Sequence, residues 1–275
     1  MTPHSDTGPR AGPVHVHGIV RSGFRPRPGL TGVGGGAVLV VAEGPLAALV
    51  SAPYGPRGAC GPPDAPGDSR ADVSVLSAQA AAEAHRRVVD EAAATVCVLP
   101  LRLGTVHRDV EQVRRALADR ADLYRRLLTR LDGRLEWGVK AYADDAEPDG
   151  AAGSGGATAG GTVGSADGLA RAAHHALADA AECSRVHHPQ DACPSGMAAA
   201  CATSAYWTSP IAGAPYPHGR NLLDSAYLVP REEAGAFAET VGGLVARSPE
   251  LHIELTGPWA PYSFADPGRL PDLPD

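Results

Sequence analysis

Cys183, His187, His188 and Cys193 fall within eleven positions of one another in the stretch ECSRVHHPQDACPSG, with His174 and His175 a few residues upstream. Thiolates and imidazoles at short spacing are the ligands of tetrahedral zinc. The cluster therefore opens two readings, a metal-dependent enzyme or a zinc-stabilised scaffold. Against both, the stretch has no C-x-x-C pair and its spacing matches no zinc module. His174 and His175 lie off the apolar stripe of their helix, which predicts solvent-facing rings. His15 and His17, two apart on an alternating segment, point to one side of a strand. They could share a metal there, and a polar strand face is the simpler reading.

Other residue types offer less. No G-x-S-x-G elbow is present. Cys97 sits in an apolar segment, where burial raises a thiol pKa and leaves it inert. The glycine run GVGGG at 32–36 precedes a strand instead of opening a helix, and no Gly-Lys-Ser/Thr follows it, so it reads as a flexible loop and not as a phosphate cradle. Glu136 and Glu254 alternate with apolar neighbours, the pattern of a solvated strand face rather than a paired-carboxylate site. The helical stretch 108–134 carries eight arginines against five acids. That composition reads as a solvated face, with a docking surface for an acidic partner as the alternative. These residues argue for no enzyme, no catalytic residue, no cofactor and no bound metal.

Composition narrows the class. The 275 residues can form one large domain or two small ones, and a net charge of −7 gives no reason to expect nucleic acid or an anionic membrane as partner. No run approaches the roughly 20 apolar residues of a membrane span. The first residues lack the basic-then-apolar pattern of a signal peptide, and five cysteines are an odd number for a disulfide framework. A cytoplasmic location is expected.

Periodicity supplies the elements. VHVHGIVR (14–21) alternates as a first strand, and AVLVVAEG and PLAALVS supply two more short strands or a strand and a turn. An alanine-rich helix is predicted over 77–94, then a buried strand over 95–104. One long amphipathic helix is predicted from Asp109 to Leu131, opened by an Asp109–Gln112 capping box and closed by Asp-Gly at 132–133. RLEWGVKAY (134–142) predicts a strand with Leu135, Trp137, Val139 and Ala141 on the apolar face and Arg134, Glu136 and Lys140 on a wet one. A Gly/Ala/Asp-rich linker is expected over 144–164 and a second helix over 165–186. A strand over 222–230, a helix over 231–248 and a strand over 250–257 follow. The expectation is an α+β protein in two parts: an N-terminal domain at 14–143 and a smaller α+β domain at 165–270, with a Cys/His insertion at about 183–218.

Two blocks go beyond composition. VLPLRLGTV (98–106), with the histidine-bearing helix before it and LYRRLLTRLDGRLEWGVKAY after it, resembles the gas vesicle protein F/L family. SAYLVP, a helix and then LTGPWAPYSFA resembles the C-terminal signature of that family, and VHGIV is a weaker match near the start. Leu103 stands where the family usually has phenylalanine, and Ala260 where a second proline is common. The resemblance implies two α+β domains, the N-terminal one a modified ferredoxin-like fold. It implies an accessory protein of gas vesicle assembly that binds the small hydrophobic shell protein (GvpA-like) and possible further accessory proteins. The matching residues are Pro100, Arg102, Gly104, Thr105, Glu136, Trp137, Gly138, Tyr227, Thr256, Gly257, Pro258, Trp259, Pro261, Tyr262 and Phe264. In a chain with 5% aromatics, TGPWAPYSF (256–264) places three in nine residues. They serve either to plug the fold or to anchor a partner.

Overall fold

The computed structural model describes residues 12–52, 70–143, 165–187 and 220–266. The chain divides into two units, one holding the residues up to Gly133 together with the segment that starts at Ala260, the other holding Arg134–Trp259.

In the first unit, β1 (Val14–Arg21), β2 (Val38–Glu43), β3 (Leu46–Ser51) and β4 (Val98–Pro100) form an antiparallel sheet in the order β2-β3-β1-β4. A two-residue strand, β5 (Val106–His107), also pairs with β1. One face carries Val20, Ala47, Leu49 and Val98 against Val88, Val89 and Ala92 of helix α1 (Arg70–Ala93). On the other face, Ile19, Leu46, Ala48, Val50 and Leu99 are buried where helices α2 (Val110–Asp119) and α3 (Ala121–Leu131) pack. Covering both faces explains why all six residues of β3 are buried and why LAALVS reads as a continuous apolar run.

The capping box is present in a variant form. Asp109 Oδ1 accepts from the Gln112 backbone N–H at 2.7 Å, and Gln112 Oε1 accepts from the Arg108 N–H at 2.7 Å. Asp109→Ala removes this cap and is expected to cost about 1 kcal/mol in urea unfolding. The single long helix expected over 109–131 is corrected to two, because Arg120 leaves helical geometry (φ −120°, ψ 20°). Neither glycine nor proline marks the break. The strand expected over 95–104 is three residues long, since regular pairing ends at Pro100 and the chain turns at Leu103–Gly104.

The second unit runs β6 (Arg134–Ala143), α4 (Ala166–Asp179), β7 (Cys183–Val186), β8 (Arg220–Pro230), α5 (Ala234–Arg247), β9 (Leu251–Trp259). Its antiparallel sheet has the order β7-β8-β6-β9. This is the βαββαβ arrangement of ferredoxin-like folds. The first unit has the equivalent strand order with a loop in place of the first crossover helix. Trp137, Val139, Leu223, Tyr227 and Leu251 pack on one face of the second sheet with Ala173 and Leu177 of α4 and Phe237, Val241 and Leu244 of α5.

Three expectations are corrected here. The sequence expectation of an N-terminal domain at 14–143 places β6 there, yet along its length β6 pairs with β8 on one side and β9 on the other. The helix expected over 165–186 stops at Asp179, and Cys183–Val186 becomes an edge strand on β8. Glu136 is not on a solvated face. It is 1% exposed, with Leu228 and Trp259 flanking it in register. The 144–164 linker and most of the 183–218 insertion lie outside the described residues.

Candidate functional site

A buried chain of polar side chains crosses the first unit. The β1–β3 register shifts between Val16 and Gly18, and His17 at that irregularity is fully buried on the α1 side. Its Nε2 lies 2.9 Å from Ser51 Oγ on β3, and its Nδ1 lies 3.2 Å from His85 Nδ1 on α1. His85 Nε2 is 2.9 Å from the Leu101 carbonyl, just past β4. A carbonyl only accepts, so His85 carries its proton on Nε2 and its Nδ1 is bare. His17 Nδ1–H then donates to His85, and the Ser51 hydroxyl donates to His17 Nε2. Every link of the relay is satisfied with both rings neutral.

Electrostatics reinforce that state. Burial pushes the His17 imidazole down to about 3, with the neighbouring charges of His85 and His15 acting the same way. Burial takes His85 down to about 4, opposed in part by its bond to Leu101 and helped by His15. The sequence reading of a polar strand face at His15 and His17 is corrected: His17 is core and His15 is half-buried. A base with so low a pKa beside a serine that is 0% exposed is not a nucleophilic pair but an internal lock.

The glycine run closes over this lock. Gly32 N–H donates to the Gly36 carbonyl at 2.9 Å, and a Cβ on Gly32 would stand 2.5 Å from Ser51 Oγ and 2.6 Å from His17 Nε2. The loop is thus an ordered cover rather than a spacer. Gly32→Ala is expected to cost about 1–3 kcal/mol, read as a lower urea midpoint, because the relay must move to admit the methyl group.

The signature residues fall into two groups. In the first unit, Leu101 N–H donates to the His17 carbonyl at 3.0 Å, and Thr105 donates through its N–H and hydroxyl to the Arg102 carbonyl. Gly104 makes this turn at φ +86°. Arg102 pairs with Asp266 at 3.1 Å, the Tyr262 ring lies 6.2 Å from the His85 ring, and Phe264 is fully buried. Pro100 closes β4, and Pro261 precedes the one-turn helix of Tyr262–Phe264.

In the second unit, Glu136, Trp137 and Gly138 on β6 meet Tyr227 on β8 and the Thr256–Trp259 end of β9. Trp137 pairs with Tyr227, and Gly138 with Thr256, whose hydroxyl donates to the Gly138 carbonyl at 3.4 Å. Gly257 has φ +118° and precedes the cis peptide to Pro258. A Cβ there would be 2.9 Å from the Glu136 carbonyl, so glycine is required. TGPWAPYSF reads in the sequence as one segment, whereas Trp259 ends the second unit and Ala260 belongs to the first.

His174 is also corrected. Its Nδ1 lies 2.8 Å from the Tyr227 hydroxyl, and burial lowers its pKa while raising that of the phenol. A neutral His174 accepts the bond from Tyr227. Of the metal candidates, Cys183 is half-buried on β7, and the His187 N–H donates to the Asp224 carbonyl; His188 and Cys193 lie outside the described residues. Among the described residues no three His, Cys, Asp or Glu side chains are placed to hold a metal ion. Cys97 is pushed up to about 11 by burial, an inert thiol.

Two α+β units with these signatures define a class. The family model for gas vesicle synthesis protein GvpL/GvpF matches residues 13–266, and the chain belongs to that family. It is 40% identical over 204 residues to gas vesicle protein L of Streptomyces sp. (strain CB03234), covering 67% of this chain and 68% of that one. It is 28% identical over 267 residues to gas vesicle protein F of the same strain, covering 92% and 99%. The crystal structure of GvpF from Anabaena sp. PCC7120 superposes with a TM-score of 0.61 at 18% identity, covering 93% of this chain and 96% of that one. GvpF from Microcystis aeruginosa gives 0.57 at 17% identity over 94% and 100%. These two likenesses show the shared fold. The family is one of gas vesicle accessory proteins, and no described helix is long and apolar enough to cross a membrane.

Proposed function

We propose that this protein acts in gas vesicle formation by binding the small hydrophobic, GvpA-like shell protein and assisting its incorporation, as a non-catalytic factor in the cytoplasm at the growing vesicle. The observation that carries the reading is the family match from residue 13 to residue 266, which takes in both units and both signature groups. A shell subunit with an apolar gas-facing side is prone to aggregate before it is built in, and a partner covering that side suppresses this. The buried relay supports a scaffold role, since it spends its histidines on holding strands, helix and loop together.

The test is co-expression of the full chain with the shell protein, followed by capture through a tag on the chain. An unrelated tagged α+β protein serves as control. Retention of the shell protein by this chain alone supports the proposal, and equal retention by the control or none by either sinks it. Trp259→Ala, run in parallel, separates the two roles of the aromatic segment. Unchanged melting with lost capture makes Trp259 a contact, and lowered melting makes it structural.

A further inference from the structure

The helices α2 and α3 carry a charge distribution that capture of an apolar subunit does not require. Residues 108–131 hold seven arginines and four acids, which leaves this segment at +3 within a chain of net charge −7. Three of the four acids already have arginine partners: Asp109 with Arg108 at 3.0 Å, Glu111 with Arg114 at 3.5 Å, and Asp122 with Arg125 at 3.0 Å. Arg115, Arg120 and Arg126 are exposed and form no ion pair among the described residues.

Their placement follows from helical periodicity. Val113 and Leu117 fix the buried side of α2, which puts Arg115 on its opposite side. Leu127, Leu128 and Leu131 fix that of α3 and put Arg126 outward. Arg120 stands at the break between them. Arg21 joins the same surface from the end of β1, donating to Thr129 Oγ1 on α3 at 3.1 Å.

From this we infer that the outer surface of α2 and α3 is a docking site for an acidic segment of a partner protein, bound through carboxylates. Guanidinium groups suit this task because their planar donors engage carboxylates two at a time. A protein partner fits better than nucleic acid. The remainder of the chain is strongly acidic and repels a long phosphate backbone, whereas a short carboxylate-bearing segment feels chiefly the local positive surface within a Debye length of about 8 Å. This site is independent of the apolar capture proposed above and stands or falls separately.

The probe is a fluorescein-labelled peptide of Glu-Ala repeats, followed by anisotropy with the full chain. Binding is expected, weakening at least tenfold as salt rises from low to physiological strength and above. The variant Arg115→Glu/Arg120→Glu/Arg126→Glu is expected to lose it by a further tenfold or more. A control that reverses the exposed Arg87, Arg171 and Arg231 has the same net charge and is expected to bind within about twofold of the native chain. Equal binding by the two reversed proteins, or no binding by the native chain, overturns the inference. So does tighter binding of a labelled single-stranded RNA than of the peptide, which would assign the surface to nucleic acid. Because the reversed side chains are exposed, their circular dichroism and melting are expected to match the native protein's.

Discussion

Acidification from pH 7 to pH 4.5 is expected to cost this protein several kcal/mol of stability, with His17 and His85 as the source. Both are buried and held near 3 and 4 in the folded chain, whereas in the unfolded chain each takes a proton near 6.5. Below pH 6.5 the unfolded state therefore binds more protons than the native one. Stability is complete above that pH and falls as pH drops toward 4. Two such groups, each contributing about 1.4 kcal/mol per pH unit, give a loss of about 5 kcal/mol between pH 6.5 and 4.5.

The geometry explains the resistance to protons. A proton on His85 Nδ1 would meet the His17 Nδ1–H head-on across 3.2 Å. It can be received only if His17 moves its own proton to Nε2 and Ser51 turns its hydroxyl to the Val33 carbonyl, 3.5 Å away. A second proton has no arrangement left, and His15 nearby adds repulsion. His85→Gln can still donate to Leu101 but cannot titrate. Urea unfolding from pH 7.5 to 4.5 is expected to show the variant less stable at the top of the range and falling with roughly half the native slope. Parallel native and variant curves would sink the account. The carboxyls of Asp109 and Asp167, held low by the Gln112 N–H and by Arg220, belong to a window below the usual carboxylate range.

What was legible in the sequence was local. The Asp109 cap, the alternation of β1 and β6 and the apolar stripes of α2 and α5 each report on neighbours a few residues away. β6 shows the limit. Its period-two pattern announces a strand, but only pairing with β8 and β9, more than 75 residues on, assigns it to the second sheet. Glu136 shows the same limit, because alternation marks a wet face only when nothing large flanks the residue in register, and Leu228 and Trp259 flank this one. The break at Arg120 carries no composition signal at all.

The relay was within reach of a stricter argument. Val14, Val16, Ile19 and Val20 surround His17 in a strand too apolar to have a wet side, and such a strand is covered on both faces. A histidine inside it must be buried and must find partners, and Ser51 and His85 are the polar residues that the flanking elements offer. The separation of the C-terminal aromatics between the two units was beyond sequence, since nothing in TGPWAPYSF marks Trp259–Ala260 as a boundary.

Phe264→Ala is expected to be the most damaging single truncation in that stretch, costing about 3–5 kcal/mol. Phe264 is 0% exposed, while Tyr262 and Trp259 are half-buried, so its ring has the most contact to lose and its removal leaves the largest void. Alanine at 262 or 259 is expected to cost less, because a cavity left by a partly exposed ring is open to water and to collapse of its neighbours. The effect should reach the relay. Phe264 fixes the segment that carries Asp266 to Arg102 and the Tyr262 ring to His85, and loosening it lets water approach the imidazoles. Water approach eases the charged form, so the His85 titration, followed by NMR, is expected to move up toward 6.5 in Phe264→Ala at temperatures where the variant remains folded. A loss below about 1 kcal/mol in urea unfolding would remove Phe264 from the fold's support. A full loss with an unmoved His85 would keep it as a plug but cut its tie to the relay.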